Sequence, residues 1–426
     1  MAAVSAPRRP THEVAGEAET AGEDRPAPFW LFAGHLWTIF GLALSNVLLG
    51  LAILAVPFSW IGSGTTAREA LSRLGRRARP LLAALALYAL LLVVSAALSL
   101  DPGSSARALT ELFNLAALPL ALILVRGERD ARRLVDGMIL VAAACGLFGL
   151  AQLLAGYGDL SHRIRASFSH YMTFSGVLMV ADCLLLAQLA AGRGWGGRAG
   201  AWRWGALAVI NAALLASYTR SAWVGLGVAL VLLALIRRPR WLLALPVAAL
   251  LFVLLAPAPV LERARSIVDL RDPSNVDRLA MAQAGAAMIA DRPLVGLGPQ
   301  MVQVLYPRYR VDTAVRDEVP HLHDTFLQIA AERGLPALGA YLALMAIAVA
   351  AAWRRFRRQG AFGGARADLY VGAFLGLVAF NVAGLFEHNW GDTEVQRLIL
   401  FLLALPFVIE GPERPPARPE ELSSGR

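Results

Sequence analysis

Apolar residues recur along this chain in long runs, and short polar segments separate one run from the next. Most runs are about as long as a helix must be to cross the roughly 30 Å hydrocarbon core of a bilayer. A soluble α/β enzyme would instead alternate short apolar strands with amphipathic helices. The pattern predicts helices near residues 29–43, 44–61, 80–100, 111–126, 135–155, 171–191, 203–218, 221–236, 241–257, 335–353, 368–386 and 394–410. We therefore expect an all-α polytopic membrane protein with about twelve transmembrane helices and one large periplasmic loop that contains short helices.

The polar segments divide the chain into five parts. Residues 1–28 mix both signs of charge without an apolar core, so we expect a disordered cytoplasmic tail there and a second cytoplasmic tail at 411–426. Predicted helices one to nine fall within 29–257 and the last three within 335–410. The segment 258–334 is the longest between two predicted helices, and loops of that length are usually functional. We interpret it as a catalytic loop.

Composition and charge agree with a membrane protein. Of the 426 residues, 57% are hydrophobic and 17% are charged. All 40 basic residues are arginines, and they concentrate in alternate short loops near 68–79, 126–133, 193–203, 237–240 and 354–366. Because cytoplasmic loops are enriched in positive charge, we expect both termini in the cytoplasm and the loop 258–334 in the periplasm. This placement of the arginines favours membrane lipids as partners and argues against nucleic acid.

A dense polar motif, Pro320-His321-Leu322-His323-Asp324, comes shortly before the tenth predicted helix. Asp324 is suited to cap a short helix with an apolar face that ends at Gly334. Histidines at its N-terminal edge could accept a proton from an attacking hydroxyl. They could also be a structural pair or a metal pair, but no further ligands follow at convincing spacing, so we expect no metal and no cofactor.

Arginines form the second group of candidates. Arg220 lies in a tight turn between two apolar runs, and Arg278 begins an amphipathic stretch that leads to a Gly-rich turn at 291–299. Guanidinium groups are favoured partners of phosphate oxygens, so the two would suit an anionic lipid-linked substrate. Arg163 and Arg165 are weaker candidates, as is the segment 387–392, where a solvated loop is expected.

These motifs, in this order, resemble the O-antigen ligase and polymerase superfamily of bacterial envelope glycosyltransferases over about residues 29–410. The resemblance rests on Thr219-Arg220-Ser221-Ala222-Trp223, on the Arg278 stretch with Asp291-Arg292-Pro293-Leu294-Val295-Gly296-Leu297-Gly298, and on His321 to Gln328 with Glu332-Arg333-Gly334-Leu335. The family usually has asparagine after the key histidine. This chain has Asp324 there, which keeps a helix cap and adds a negative charge.

The resemblance implies a metal-independent, inverting transfer of a glycan from undecaprenyl diphosphate to an acceptor sugar hydroxyl, at the periplasmic face of the bacterial inner membrane. The acceptor of an O-antigen ligase is lipid A–core. Carried over by position, His323 is the base or acceptor-orienting group, and Arg220 and Arg278 bind the diphosphate. The supporting residues are His321, Asp324, Glu332, Arg163 and Arg165.

Four alternatives stay open at this stage, and one of them is a scaffold protein without activity. An O-antigen polymerase would use a second lipid-linked glycan as acceptor, and a protein O-oligosaccharyltransferase would use a serine or threonine side chain. A lipid-linked sugar transporter would place ionisable residues along a central path. The notable polar residues here gather at one predicted face instead, with Asp182 as a partial exception.

Overall fold

A computed structural model of the protein describes residues 25–62, 75–159, 162–195 and 197–409. These residues form α-helices and short 3₁₀ helices without any strand, which confirms the predicted all-helical class. The predicted tail at 411–426 and most of the one at 1–28 lie outside the described residues.

Eighteen α-helices follow one another in this part of the chain. The first nine are α1 (Ala27–Trp37), α2 (Leu42–Gly62), α3 (Gly75–Ala97), α4 (Pro102–Ser105), α5 (Glu111–Leu115), α6 (Ala117–Leu124), α7 (Glu128–Leu154), α8 (Tyr171–Ala190) and α9 (Arg198–Ala216). The others are α10 (Arg220–Arg237), α11 (Leu245–Leu255), α12 (Ala258–Arg265), α13 (Pro273–Asp291), α14 (Met301–Tyr309), α15 (Thr325–Arg333), α16 (Leu335–Arg358), α17 (Ala367–Ala383) and α18 (Thr393–Val408).

Seven helical segments in the described residues are long and apolar enough to cross a membrane. They are Leu42–Ile61, Arg77–Ala97, Pro102–Leu124, Glu128–Leu154, Tyr171–Ala190, Arg220–Arg237 and Leu335–Arg358. The remaining predicted segments also contain helix, but these helices are shorter or less apolar. A polytopic membrane protein therefore follows from the structure, whereas the count of twelve spans and the sidedness of the loop stay predictions.

Two predicted helix boundaries are wrong. The break between the first two helices falls at 38–41, not near Ser45 and Asn46, and both of these residues lie inside α2. Their polar groups are satisfied by a distant partner, because the Arg397 guanidinium donates to Ser45 Oγ at 3.2 Å and to Asn46 Oδ1 at 2.5 Å. The predicted single helix at 111–126 is instead the end of a run of short helices from 102 to 124.

Helix α8 lies at the centre of the bundle. It packs against α7, α9, α10 and α17, and most of its side chains are buried. Asp182 in this helix is fully buried and accepts two hydrogen bonds from Asn211 Nδ2, at 3.2 and 3.1 Å. This confirms that Asp182 faces the bundle interior, where an amide partner offsets part of the cost of burying a carboxyl group.

The segment 258–334 contains four helices, α12 to α15, and a hydrophobic cluster separate from that of the bundle. The cluster consists of Met281, Ala284, Met288, Leu297, Met301, Val302, Leu305, Tyr306, Val319, Leu322 and Ala331. Its members come from α13, α14, α15 and the connections between them. The buried face of α13 agrees with the amphipathic pattern of the sequence.

The Gly-rich turn fastens the end of α13 to α15 within this segment. The Leu297 and Gly298 N–H groups donate to the carbonyls of Ala331 and Glu332, both at 2.9 Å. Gly296 has a φ of +70°, and a Cβ there would lie 2.3 Å from the Glu332 carbonyl carbon. Only glycine fits such a close approach, so the turn fixes the position of α15 and of the histidine motif before it.

Candidate functional site

The histidine motif precedes α15, as the sequence predicts. Asp324 Oδ1 accepts hydrogen bonds from the Phe326 and Leu327 N–H groups at 2.8 Å, and the helix ends at Gly334 with a φ of +83°. His323, directly before the cap, has a φ of +51°, an unusual value for a residue with a side chain. The cap and this backbone conformation together set the direction of the His323 ring.

His323 pairs with a carboxylate that lies 64 residues further along the chain. Its Nδ1 lies 3.2 Å from Oε1 and 3.1 Å from Oε2 of Glu387, in the segment between α17 and α18. Thr325 ties the two segments together, because its hydroxyl donates to the Glu387 carbonyl at 3.0 Å and its N–H to the Gly384 carbonyl at 2.7 Å. The expectation that 387–392 is a solvated loop is therefore wrong at Glu387, which is only 2% exposed.

The charge of Glu387 decides which tautomer His323 adopts. Burial alone would raise the pKa of Glu387, but the His323 hydrogen bond and the nearby charges of His323, His321 and Arg278 lower it to about 2. An ionised carboxylate only accepts hydrogen bonds, so Nδ1 of His323 is the donor. In the neutral ring, Nε2 then carries the lone pair that a base needs.

His321 packs beside this pair. Its ring centroid lies 4.3 Å from that of His323, and burial lowers its pKa to about 4. The His323 N–H donates to His321 Nδ1 at 3.2 Å, so the proton of neutral His321 is on Nε2, which lies 3.7 Å from Glu387 Oε1. Both histidine rings thus turn a nitrogen toward the same carboxylate.

The same three side chains could hold a metal ion. One ligand atom from each of His321, His323 and Glu387 lies within 4.8 Å of the others. The sequence analysis missed Glu387 as a third ligand because it is remote in sequence. The proton on His321 Nε2 would have to leave before that nitrogen could bind a metal.

Arg220, one of the two predicted diphosphate ligands, is buried and engaged by the protein. Its Nη1 donates to the carbonyl and hydroxyl oxygens of Ser266, at 2.7 and 2.8 Å. Its Nη2 donates to Ser274 Oγ at 2.7 Å and to Asp272 Oδ1 at 3.3 Å. Arg220 thus fastens the start of the 258–334 segment to the α9–α10 turn and supplies a fixed positive charge there.

Arg278, the other predicted ligand, has no hydrogen bond or ion pair with any described residue. With Arg220 and five further residues it lines a cavity of about 50 Å³: Ser221, Val224, Ile267, Asn275 and Phe386. Burial lowers the pKa of Arg278, Glu387 raises it and Arg220 lowers it further. Arg278 is therefore a half-buried cation with uncommitted donors, close to both the Glu387 carboxylate and Arg220.

Two more arginines complete a cationic cluster, which we call the arginine cluster: Arg163, Arg220, Arg263 and Arg278. Arg163 Nη1 and Arg263 Nε both donate to the carbonyl of Tyr218, at 3.4 and 3.3 Å. Burial and the charges of Arg220 and Arg163 lower the pKa of Arg263 to about 10. Arg263 was not among the sequence-predicted residues, because it carries no motif and four α-helices separate it from Arg163 in the chain. Its position shortly after a predicted helix in the long loop was the available signal.

Two predicted supporting residues lie outside this cluster. Arg165 is exposed and donates to the Ser169 carbonyl at 2.7 Å. Glu332 is buried in α15, where its Oε1 accepts a hydrogen bond from the Val302 N–H at 3.4 Å. Glu332 therefore supports the α14–α15 packing and not the anion-binding side of the site.

The fold and the site define a polytopic helical membrane protein in which a buried histidine–carboxylate pair lies beside an arginine cluster. Residues 204–342 match the family model described as O-antigen ligase, which supports the resemblance to the O-antigen ligase superfamily. The match supports a glycosyltransferase-like enzyme with ligase- or polymerase-like activity. It includes Arg220, Arg263, Arg278, His321 and His323 but ends before Glu387. No curated protein matches the chain.

Proposed function

We propose that this protein is a metal-independent, inverting O-antigen ligase, which transfers a glycan from undecaprenyl diphosphate to a sugar hydroxyl of lipid A–core. The transfer takes place at the periplasmic face of the inner membrane, with both termini in the cytoplasm. One observation carries the proposal: His323, oriented by the buried carboxylate of Glu387, lies in the same site as the arginine cluster.

The arginine cluster suits the leaving group. In the transfer, the bond between the anomeric carbon and the diphosphate oxygen breaks, and negative charge accumulates on undecaprenyl diphosphate. Arg278 has free donors for phosphate oxygens, and Arg220 adds a guanidinium whose position is fixed by Ser266, Asp272 and Ser274. Donors and charges held in place before the reaction stabilise such charge at little reorganisation cost.

His323 suits the acceptor. Its Nε2 takes the proton of the acceptor hydroxyl while that oxygen forms the new bond to the anomeric carbon, on the side opposite the leaving diphosphate. A single displacement of this kind inverts the anomeric centre. Glu387 stabilises the imidazolium that forms, as a buried carboxylate does behind many histidine bases. The carboxylate does not touch the substrate and is a positioning residue.

The test is glycan transfer by the purified protein in liposomes, with undecaprenyl-diphosphate glycan as donor and EDTA present. Product on lipid A–core is expected, and it should be lost in His323→Ala and strongly reduced in Arg278→Ala. Arg308→Ala, an exposed arginine of the same 258–334 segment, is the matched control and should keep full activity.

Other products would change the assignment. Glycan lengthened on the lipid carrier would make the protein a polymerase, and glycan on a serine or threonine peptide would make it a protein glycosyltransferase. Loss of activity with EDTA and its recovery with a divalent cation would contradict metal independence and point to His321, His323 and Glu387 as ligands. Lipid-linked sugar crossing the bilayer without any transfer would overturn the enzyme proposal.

A further inference from the structure

A second cavity adjoins the histidine motif and shares no lining residue with the one at Arg220 and Arg278. Its volume is about 370 Å³, within the range of roughly 300–1,000 Å³ that is usual for small-ligand pockets. His321 and His388 line this cavity, whereas Phe386 lines the other. Glu387 is therefore flanked in sequence by one lining residue of each cavity.

Amide and carboxyl groups dominate the lining. The amides are Asn114, Gln300, Gln303, Gln328 and Gln396, and the carboxyl groups are Glu111, Glu332 and Asp392. Burial raises the pKa of Glu332, and burial together with the Glu387 charge raises that of Asp392 to about 7. A carboxyl group with a pKa of about 7, such as that of Asp392, can both donate and accept hydrogen bonds, as amides do.

Arg333, the arginine in the lining, forms an ion pair with Glu111. Arg333 Nη2 donates to Glu111 Oε2 at 2.6 Å, and its Nη1 donates to Glu111 Oε1 at 3.1 Å and to the Tyr88 hydroxyl. Its positive charge is thus neutralised inside the wall. Among the described residues, the cavity therefore offers many hydrogen-bonding groups but no cation that is not already paired with a carboxylate, in contrast with the arginine cluster.

Several lining groups lack hydrogen-bond partners among the described residues, and the buried Arg333 Nε is one of them. His388 Nδ1 is buried and has no hydrogen-bond partner in the part of the chain that the structure describes. Gln303 is exposed in α14, and its amide makes no hydrogen bond to any described residue. A buried unpaired nitrogen is costly, because it has lost its water without gaining a partner. Gln303, whose side chain is exposed, is available to a polar ligand in the cavity.

We propose that this cavity binds the acceptor saccharide and selects an uncharged sugar, a hexose or hexosamine without phosphate, as the residue that is glycosylated. The inference rests on the proposed function and adds the acceptor side to it. Sugar hydroxyls match the amide and carboxyl lining, whereas an anionic sugar would find no free cation. His321 lines the cavity and packs against His323, so an acceptor bound there has its hydroxyl beside the base.

The test compares Gln303→Leu with Gln283→Leu. Gln283 is an exposed glutamine in α13 that does not line the cavity, so its variant is a matched control. Loss of one or two neutral hydrogen bonds should raise the KM for core oligosaccharide about fivefold in Gln303→Leu. The donor KM and kcat should stay unchanged, and Gln283→Leu should behave as wild type. An unchanged acceptor KM, or a raised donor KM, would overturn the inference.

Binding without donor separates this inference from the proposed function. Calorimetric titration of core oligosaccharide into the detergent-solubilised protein should show binding that Gln303→Leu weakens by the same factor. A wild-type protein that binds the oligosaccharide but transfers nothing would contradict the proposed function and leave the cavity assignment standing. If the wild-type protein transfers glycan normally but binds core oligosaccharide no more tightly than Gln303→Leu does, the result would contradict the cavity assignment and leave the proposed function standing.

The preference for an uncharged sugar has its own test. Dephosphorylated core oligosaccharide should bind the wild-type protein more tightly than the phosphorylated form, and Gln303→Arg should reverse or abolish that difference. Tighter binding of the phosphorylated form by the wild-type protein would overturn the selectivity.

Discussion

The two sides of His323 differ in charge. On one side, Arg220 and Arg278 line a small cavity, and Arg220 is paired with the carboxylate of Asp272. On the other, amides and carboxyl groups line a larger cavity whose arginine is neutralised by Glu111. Glu387, which pairs with His323, is flanked in sequence by Phe386 of the first cavity and His388 of the second. In the proposed transfer, this contrast would separate the anionic leaving group from the hydroxyl nucleophile.

The largest expected effect comes from His323. His323→Ala removes the proton acceptor, and a general base typically contributes a factor of about 10²–10⁴. We expect kcat for glycan transfer to fall by about that factor, with both KM values little changed. Single-turnover transfer with saturating donor and acceptor measures it. If His323→Ala kept a kcat within a few-fold of wild type, His323 would not be the proton acceptor of the reaction.

Glu387→Gln should have the next largest effect. The amide keeps a similar shape but cannot stabilise the imidazolium, and it can hold the His323 ring in the wrong tautomer. We expect kcat to fall by about two orders of magnitude at most, less than in His323→Ala. The dependence of kcat on pH should shift as well, because the charge beside the ring is lost. A variant with lower activity but an unshifted pH profile would indicate a purely structural role.

Arg278→Ala tests whether the arginine cluster binds the donor. Hydrogen bonds to charged groups contribute about 1.5–3 kcal/mol, which corresponds to a weakening of about ten- to a hundredfold. We expect that loss in kcat/KM for the lipid-linked donor, with partial recovery in Arg278→Lys and no change in acceptor binding. Initial rates at varied donor and fixed acceptor measure it. A raised acceptor KM instead would mean that the two sides are not separate.

The smallest effect should come from the helix cap. Asp324→Ala removes the acceptor for two N–H groups, which typically costs about 1 kcal/mol, whereas Asp324→Asn keeps a capping oxygen. Thermal unfolding in detergent should show a lower midpoint for the alanine variant alone. If the asparagine variant lost activity at unchanged stability, the negative charge of Asp324 would have a role beyond capping.

Much of this fold follows from patterns that are local in sequence. Apolar runs gave most of the helices, and Asp324 and Gly334 gave both ends of α15. Local patterns failed where a distant partner changed the energetics. Ser45 and Asn46 resemble a helix break, but the Arg397 guanidinium satisfies them inside α2. Glu387 resembles a solvated loop residue, but the hydrogen bond from His323 stabilises its buried charge.

By itself the sequence determined the helical membrane class, the histidine and arginine candidates and the cap that aims His323, because each depends on residues close together in the chain. Only the tertiary structure decided which charges meet. It brought Glu387 to His323 and Arg263 to Arg163, and it engaged Arg220 with Ser266 and Asp272. Among the described residues, it left Arg278 without a hydrogen bond or ion pair. The physical reason is that the strength of a charge depends on its burial and its partners, and packing between remote segments sets both.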